Sequence, residues 1–182
     1  ATAFVRFYYS PEYESKRKPL LFNSIVFALF QSGLIAVLFF LFSNSFAEMI
    51  LDSSKYNIII QIYSVIIFLQ PLENIVQDLL KIKKKVKLFV TMLLTNVFIT
   101  TILILVLLIY FDKGIMALVF GTLFTTIYTI VFLSKELKNS MEFKFDWQLL
   151  KSLLKYGYPL VISALSFFLL RSVVLSVSVP DP

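Results

Sequence analysis

Three long runs of this chain carry no charged residue: Leu20 to Phe42, Leu88 to Phe111 and Gly114 to Ser134. A helix rises ~1.5 Å per residue, so about 20 residues cross the ~30 Å hydrocarbon layer of a bilayer. Each run is long enough. Composition points the same way, with 59% of residues hydrophobic and 15% charged, against about half and about a quarter in a soluble domain. A soluble fold of this size cannot hide that much apolar surface. The chain is therefore expected to be a polytopic membrane protein built of helices.

Absent residue types narrow the chemistry. The sequence has no cysteine and no histidine, which excludes disulfides, thiol catalysis, zinc sites and imidazole acid–base work in these residues. Its glycines are Gly33, Gly114, Gly121 and Gly157, too scattered to form a phosphate-cradling loop. No nucleophile–base pair, carboxylate dyad or metal cluster is legible, so no catalytic residue, metal or cofactor is expected. A conduit or carrier fits these residues better than an enzyme.

The spans are placed at about 20–42, 58–80, 88–110, 115–133 and 156–179, after the end of a helix over 1–9. "ATAFVRFYYS" reads like the cytoplasmic end of a helix whose earlier part is missing, and the chain is expected to be a fragment. A small amphipathic piece falls around Phe46 to Leu51, and Pro71 should kink the second full span. The "FDKG" turn, Phe111 to Gly114, sends the fourth span back antiparallel. Asp146 is placed to cap a short interfacial helix over 147–156. Trp147, Leu150, Leu153 and Leu154 make one face of that helix, and Gln148, Lys151, Ser152 and Lys155 the other.

If the spans alternate, the loops at 10–19, 81–87 and 134–155 share one side. They hold thirteen of the basic residues, against Lys55 and Lys113 opposite. That bias places the rich side in the cytoplasm. The run Lys81, Lys83, Lys84, Lys85 and Lys87 accordingly reads as a topological stop with affinity for anionic lipid headgroups. No aromatic platform or binding module accompanies it, and no nucleic-acid partner is expected.

More polar side chains sit inside the second full span. Gln70, Glu73, Asn74, Gln77, Asp78 and Lys81 fall within an arc of about 140° on a helical wheel. An acid at the centre of a membrane helix costs roughly 2.5–3.5 kcal/mol, so such a face should point into a bundle interior or a water-filled cavity. The alternative is that Glu73 and Asp78 lie near the interface, where lysines pair with them. Arg6, in "AFVRFYY", either snorkels beside Tyr8 and Tyr9 or lines a cavity. Arg171 lies about twelve residues past Pro159, near mid-membrane in a helical last span, where a guanidinium needs an anion or a polar cavity. Gly33 and Gly121 permit close helix approach. Thr95, Asn96, Thr100 and Thr101 are placed to hydrogen-bond between helices.

Three stretches, taken in succession, carry a family resemblance: "RFYYSPEYESKRK", "FLQPLENIVQDLLKIKKK" and "FDWQLLKSLLKYGYPLVISALSFFLLRS". From Ala3 to about Val173 the chain resembles the Wzx-type O-antigen and polysaccharide flippases. These belong to the multidrug, oligosaccharidyl-lipid and polysaccharide exporter superfamily. After Val173 the chain reads "VLSVSVPDP" and departs from the family pattern. The resemblance implies an all-α, partial MATE-like bundle comprising most of the N-terminal lobe and the start of the next. It implies flipping of an undecaprenyl-pyrophosphate-linked oligosaccharide across the bacterial or archaeal inner membrane by alternating access, alongside other polysaccharide assembly proteins. Under it, Arg6 and Arg171 become candidate cavity cations, Glu73 a candidate for ion coupling, and Asn74 and Gln77 cavity-lining amides. A drug or metabolite antiporter of the same superfamily is the nearest alternative, and a membrane-embedded lipid-linked glycan enzyme a more distant one.

Overall fold

The computed structural model describes residues 2–111 and 114–155. The span expected over 156–179, with Arg171, lies outside the described residues, as do Asp112 and Lys113 of the "FDKG" turn. Helix α1 (Thr2–Tyr9) ends at Ser10, whose extended backbone precedes Pro11, as proline requires of the residue before it. A 3-10 turn over Pro11–Lys16 leads into α2 (Arg17–Leu41), followed by α3 (Ser43–Leu51), a 3-10 turn (Ser54–Tyr56), α4 (Asn57–Ile82), α5 (Val86–Ile109) and α6 (Ile115–Ser140). Residues 147–155 form a last helix, α7. No strand occurs among the described residues. Four of these helical segments, built on α2, α4, α5 and α6, are long and apolar enough to cross a membrane. The expected all-α polytopic bundle is what the chain forms.

Helix α4 is the hub, packed between α2 and α6, while α5 leans chiefly on α6. Three clusters run along it. At the lysine-rich end, Phe4 of α1, Leu20, Leu21 and Ile25 of α2, and Ile75, Leu79 and Ile82 of α4 enclose Leu149 and Leu153 of α7. Next, Val76 and Leu80 of α4 meet Met92 of α5 and Leu133 of α6. At the far end, Ile59 and Ile66 pack on Val119. Much of the outward-facing surface is apolar. Phe30, Leu41, Val97, Phe98, Ile109 and Val131 are all more than 60% exposed, and Met92 is the one buried residue of α5. Water would not tolerate a patch of that extent. The protein is membrane-embedded.

The α2–α4 crossing shows how a proline is accommodated. Helix α4 runs unbroken through Pro71, which has no N–H to offer the carbonyl four residues before it. One residue on, the carbonyl of Phe68 accepts the Ser32 hydroxyl of α2 at 3.1 Å. A neighbouring hydroxyl thus supports the backbone where the proline loosens the ladder. Gly33 lies beside this crossing, but a Cβ there would meet the Phe68 ring at an ordinary 3.6 Å. Gly33 is not what sets the spacing. Gly114, by contrast, has φ 50 and ψ −128, a conformation that side-chain-bearing residues avoid, so it starts α6 where few others could.

Candidate functional site

The polar strip of α4 is not in the interior of the described bundle. Ile75, Val76, Leu79 and Leu80 turn inward, and Gln70 and Asn74 are exposed while Glu73 and Gln77 are half-buried. Four aliphatic side chains claim the buried arc, so the amides and Glu73 on the opposite side are left at least partly open, while Asp78 is largely covered. Gln77 Nε2 donates to Glu73 Oε1 at 3.1 Å, one turn apart on the same face. Farther along, Lys81 Nζ meets Asp78 Oδ1 at 3.2 Å, with the Asp78 side chain only 16% exposed. The Lys81 ammonium also lies 5.3 Å over the Phe89 ring of α5, a favourable cation–π placement. Asp78 is thereby paired locally, whereas among the described residues Glu73 has only an amide for company. A carboxylate and three amides on the open face of an apolar bundle call for water, a polar cargo or another polypeptide segment.

Arg6 is exposed on α1, which packs onto the lysine-rich end of the bundle through Phe4. The lysine run ties helices together. Lys85 Nζ lies 2.5 Å from Glu136 Oε1, and Lys83 Nζ 4.0 Å from Glu136 Oε2. Lys83 also bonds the Ser140 hydroxyl. The α4–α5 turn is therefore clamped to the last two turns of α6, and Lys84 takes a left-handed conformation, φ 53, to make the reversal. Lys84 and Lys87 remain exposed. Charge reversal in Glu136→Lys should lower stability by about 1 kcal/mol, the scale of a partly exposed pair. Adding Lys85→Glu should recover part of that loss in an SDS-unfolding titration. Independent, additive losses would remove the clamp.

A residue that sequence reasoning passed over organises the same end. Asn23 is completely buried in α2. Its Nδ2 donates to Pro19 O at 2.8 Å and Lys144 O at 3.0 Å, and its Oδ1 accepts from the Asp146 N–H at 3.0 Å. Asp146 in turn caps α7, accepting from Gln148 N at 2.9 Å and Leu149 N at 3.3 Å, and Lys16 stands 4.0 Å away. The signal was there: Asn23 is an isolated amide at the mouth of an apolar run. Docking also revises the face of α7. Leu149, Leu150 and Leu153 are buried while Trp147 is 64% exposed, because the bundle receives this helix. Trp147 stands instead beside exposed Phe145, their rings 6.4 Å apart, while exposed Phe143 meets the Phe22 ring of α2 at 5.5 Å.

Between α5 and α6 the polar residues behave unequally. Asn96 Nδ2 donates to Thr129 Oγ1 at 2.8 Å, and Thr100 bonds Thr125. Thr95 instead turns back on the carbonyl of Thr91 at 2.8 Å, and Thr101 is exposed.

A family model described as polysaccharide biosynthesis protein matches residues 16–175. No curated protein and no solved structure matches the chain. The match takes in α2 through α7, and with them the α4 strip and the Asn23 anchor. The chain belongs to the polysaccharide biosynthesis protein family.

Proposed function

We propose that the chain serves as a carrier, not an enzyme, in moving an undecaprenyl-pyrophosphate-linked oligosaccharide from the cytoplasmic to the outer leaflet of the inner membrane. The observation that carries this reading is the polar strip of α4, left open on an otherwise apolar bundle in a family tied to polysaccharide biosynthesis. Sugar hydroxyls both donate and accept. Gln70, Asn74 and Gln77 offer both roles, and Glu73 accepts. Arg6 and Arg171 would supply cations for the pyrophosphate, whose charge a guanidinium matches in pairs of hydrogen bonds. Glu73 would couple the cycle to an ion. Alternating access would expose the strip first to one side and then to the other. The excess of basic residues at one end supports a cytoplasmic position for that end, where Lys84 and Lys87 would meet anionic lipid. Other polysaccharide assembly proteins would receive the cargo, and nucleic acid has no part.

The test uses cells deleted for the complete gene. Lipid-linked glycan should accumulate on the cytoplasmic leaflet and clear when the gene is restored. Glu73→Gln should restore expression but slow clearance severalfold, and Arg171→Ala should not clear the glycan at all. Deleted cells with normal surface polysaccharide and no accumulation would remove the flippase reading and favour an antiporter.

A further inference from the structure

A cavity of about 480 Å³ opens at the lysine-rich end, between α1, the Pro11–Lys16 turn, the start of α2, the α4–α5 turn and the end of α6. Its size falls within the range of about 300–1,000 Å³ typical of small-molecule sites. It shares no residue with the α4 strip, so a ligand bound there is independent of the transport reading.

The lining carries both signs of charge: Arg17, Lys18 and Lys83, with Glu14 and Glu142. Most of these are already engaged. Arg17 Nε donates to Tyr8 O at 3.1 Å, its Nη1 lies 3.4 Å from Glu14 Oε1, and its Cζ sits 5.0 Å from the centre of the Tyr8 ring. Lys83 is held by Glu136 and Ser140. The Lys18 and Glu142 side chains are exposed and have no hydrogen-bond or ion-pair partner among the described residues. One cavity therefore presents a spare ammonium and a spare carboxylate. A purely anionic guest gains Lys18 but meets Glu142 and Glu14, and a purely cationic one meets the reverse. A guest with one charge of each sign satisfies both.

We propose that this cavity binds a zwitterionic aminoalkyl phosphate, its phosphate on Lys18 and its ammonium on Glu142. The cavity lies where the apolar spans end and the lysines gather, which is headgroup level. Phosphatidylethanolamine in the surrounding leaflet and soluble phosphoethanolamine both carry this chemistry.

The experiment has two arms. In the first, the full chain is reconstituted into vesicles of equal phosphatidylethanolamine and phosphatidylglycerol, extracted, and weighed with its retained lipid by native mass spectrometry. Retention of phosphatidylethanolamine should exceed that of phosphatidylglycerol about fivefold, the scale of one interfacial charge contact. Glu142→Gln should abolish the preference, Lys18→Ala should lower retention of both lipids because both carry the phosphate, Lys18→Arg should leave retention as it is, and Glu142→Lys should turn the preference toward phosphatidylglycerol. In the second arm, soluble phosphoethanolamine is titrated against the chain in phosphatidylglycerol vesicles. Saturable binding there that Lys18→Ala and Glu142→Gln remove, without lipid preference in the first arm, assigns the site to the soluble molecule. Both side chains are exposed, so helical content by circular dichroism should be unchanged in every variant. Equal retention with no soluble binding overturns the proposal, as does a preference that Glu142→Gln leaves intact or a retention of both lipids that Lys18→Ala leaves unchanged.

Discussion

Asn23→Leu should free α7 from the bundle and cost about 3 kcal/mol or more. The substitution removes three hydrogen bonds at once. A typical hydrogen bond contributes about 1 kcal/mol net, but a buried peptide group left without a partner costs about 1–3 kcal/mol. Here the part-buried Lys144 carbonyl and Asp146 N–H both lose their partner, at the lower end of that range. With Asp146 no longer held, the cap on α7 is released and Leu149 and Leu153 have no fixed seat on Leu20, Leu21 and Leu79. The readout is twofold: a lower midpoint in SDS unfolding, and protease cleavage in the 141–146 segment under conditions that leave the parent chain whole. Asn23→Asp keeps an acceptor for the Asp146 N–H while losing the donor, and should fall between. An Asn23→Leu protein with parental stability and a protected segment would show that α7 is held by its leucines alone.

Gly121→Ala should loosen α5 by about 2–3 kcal/mol, within the range for overpacking a close contact. A Cβ at this position would lie 2.7 Å from Ile104 Cγ1 and 3.2 Å from its Cδ1. Cγ1 is close to the root of the side chain, so no simple rotation clears it, and the helices must part. Parting stretches Thr100–Thr125 and Asn96–Thr129, the bonds one and two turns along from the contact. Because α5 buries little else, few interactions compensate. Ile104→Ala creates room for the new methyl, and the double variant should be more stable than the two losses predict, by a coupling beyond about 0.5 kcal/mol. Strict additivity in that cycle would mean that Gly121 is not what brings the helices together.

The strip on α4 shows how far periodicity reaches. Spacing placed Gln70, Glu73, Asn74, Gln77, Asp78 and Lys81 on one face, and the structure keeps the strip opposite the inward-turned Ile75 and Leu79. Periodicity could not say whether that face turned inward. Burial of the opposite arc against α2, α6 and α7 turned it out, a choice made by partners on other helices. The same holds for α7. Asp146 was legible as a cap because an N-cap is a local arrangement, but Leu149 was not legible as a buried residue because its seat belongs to α2 and α4.

Membrane spanning and the crowding of cations at one end were determined by the sequence alone, since each depends on hydropathy or charge summed along the chain. Which polar groups meet was decided only by tertiary structure. Lys85 finds Glu136 across 51 positions, and Asn23 finds Lys144 across 121. A hydrogen bond needs its partner within about 3 Å, and packing of whole helices is what brings such distant positions that close.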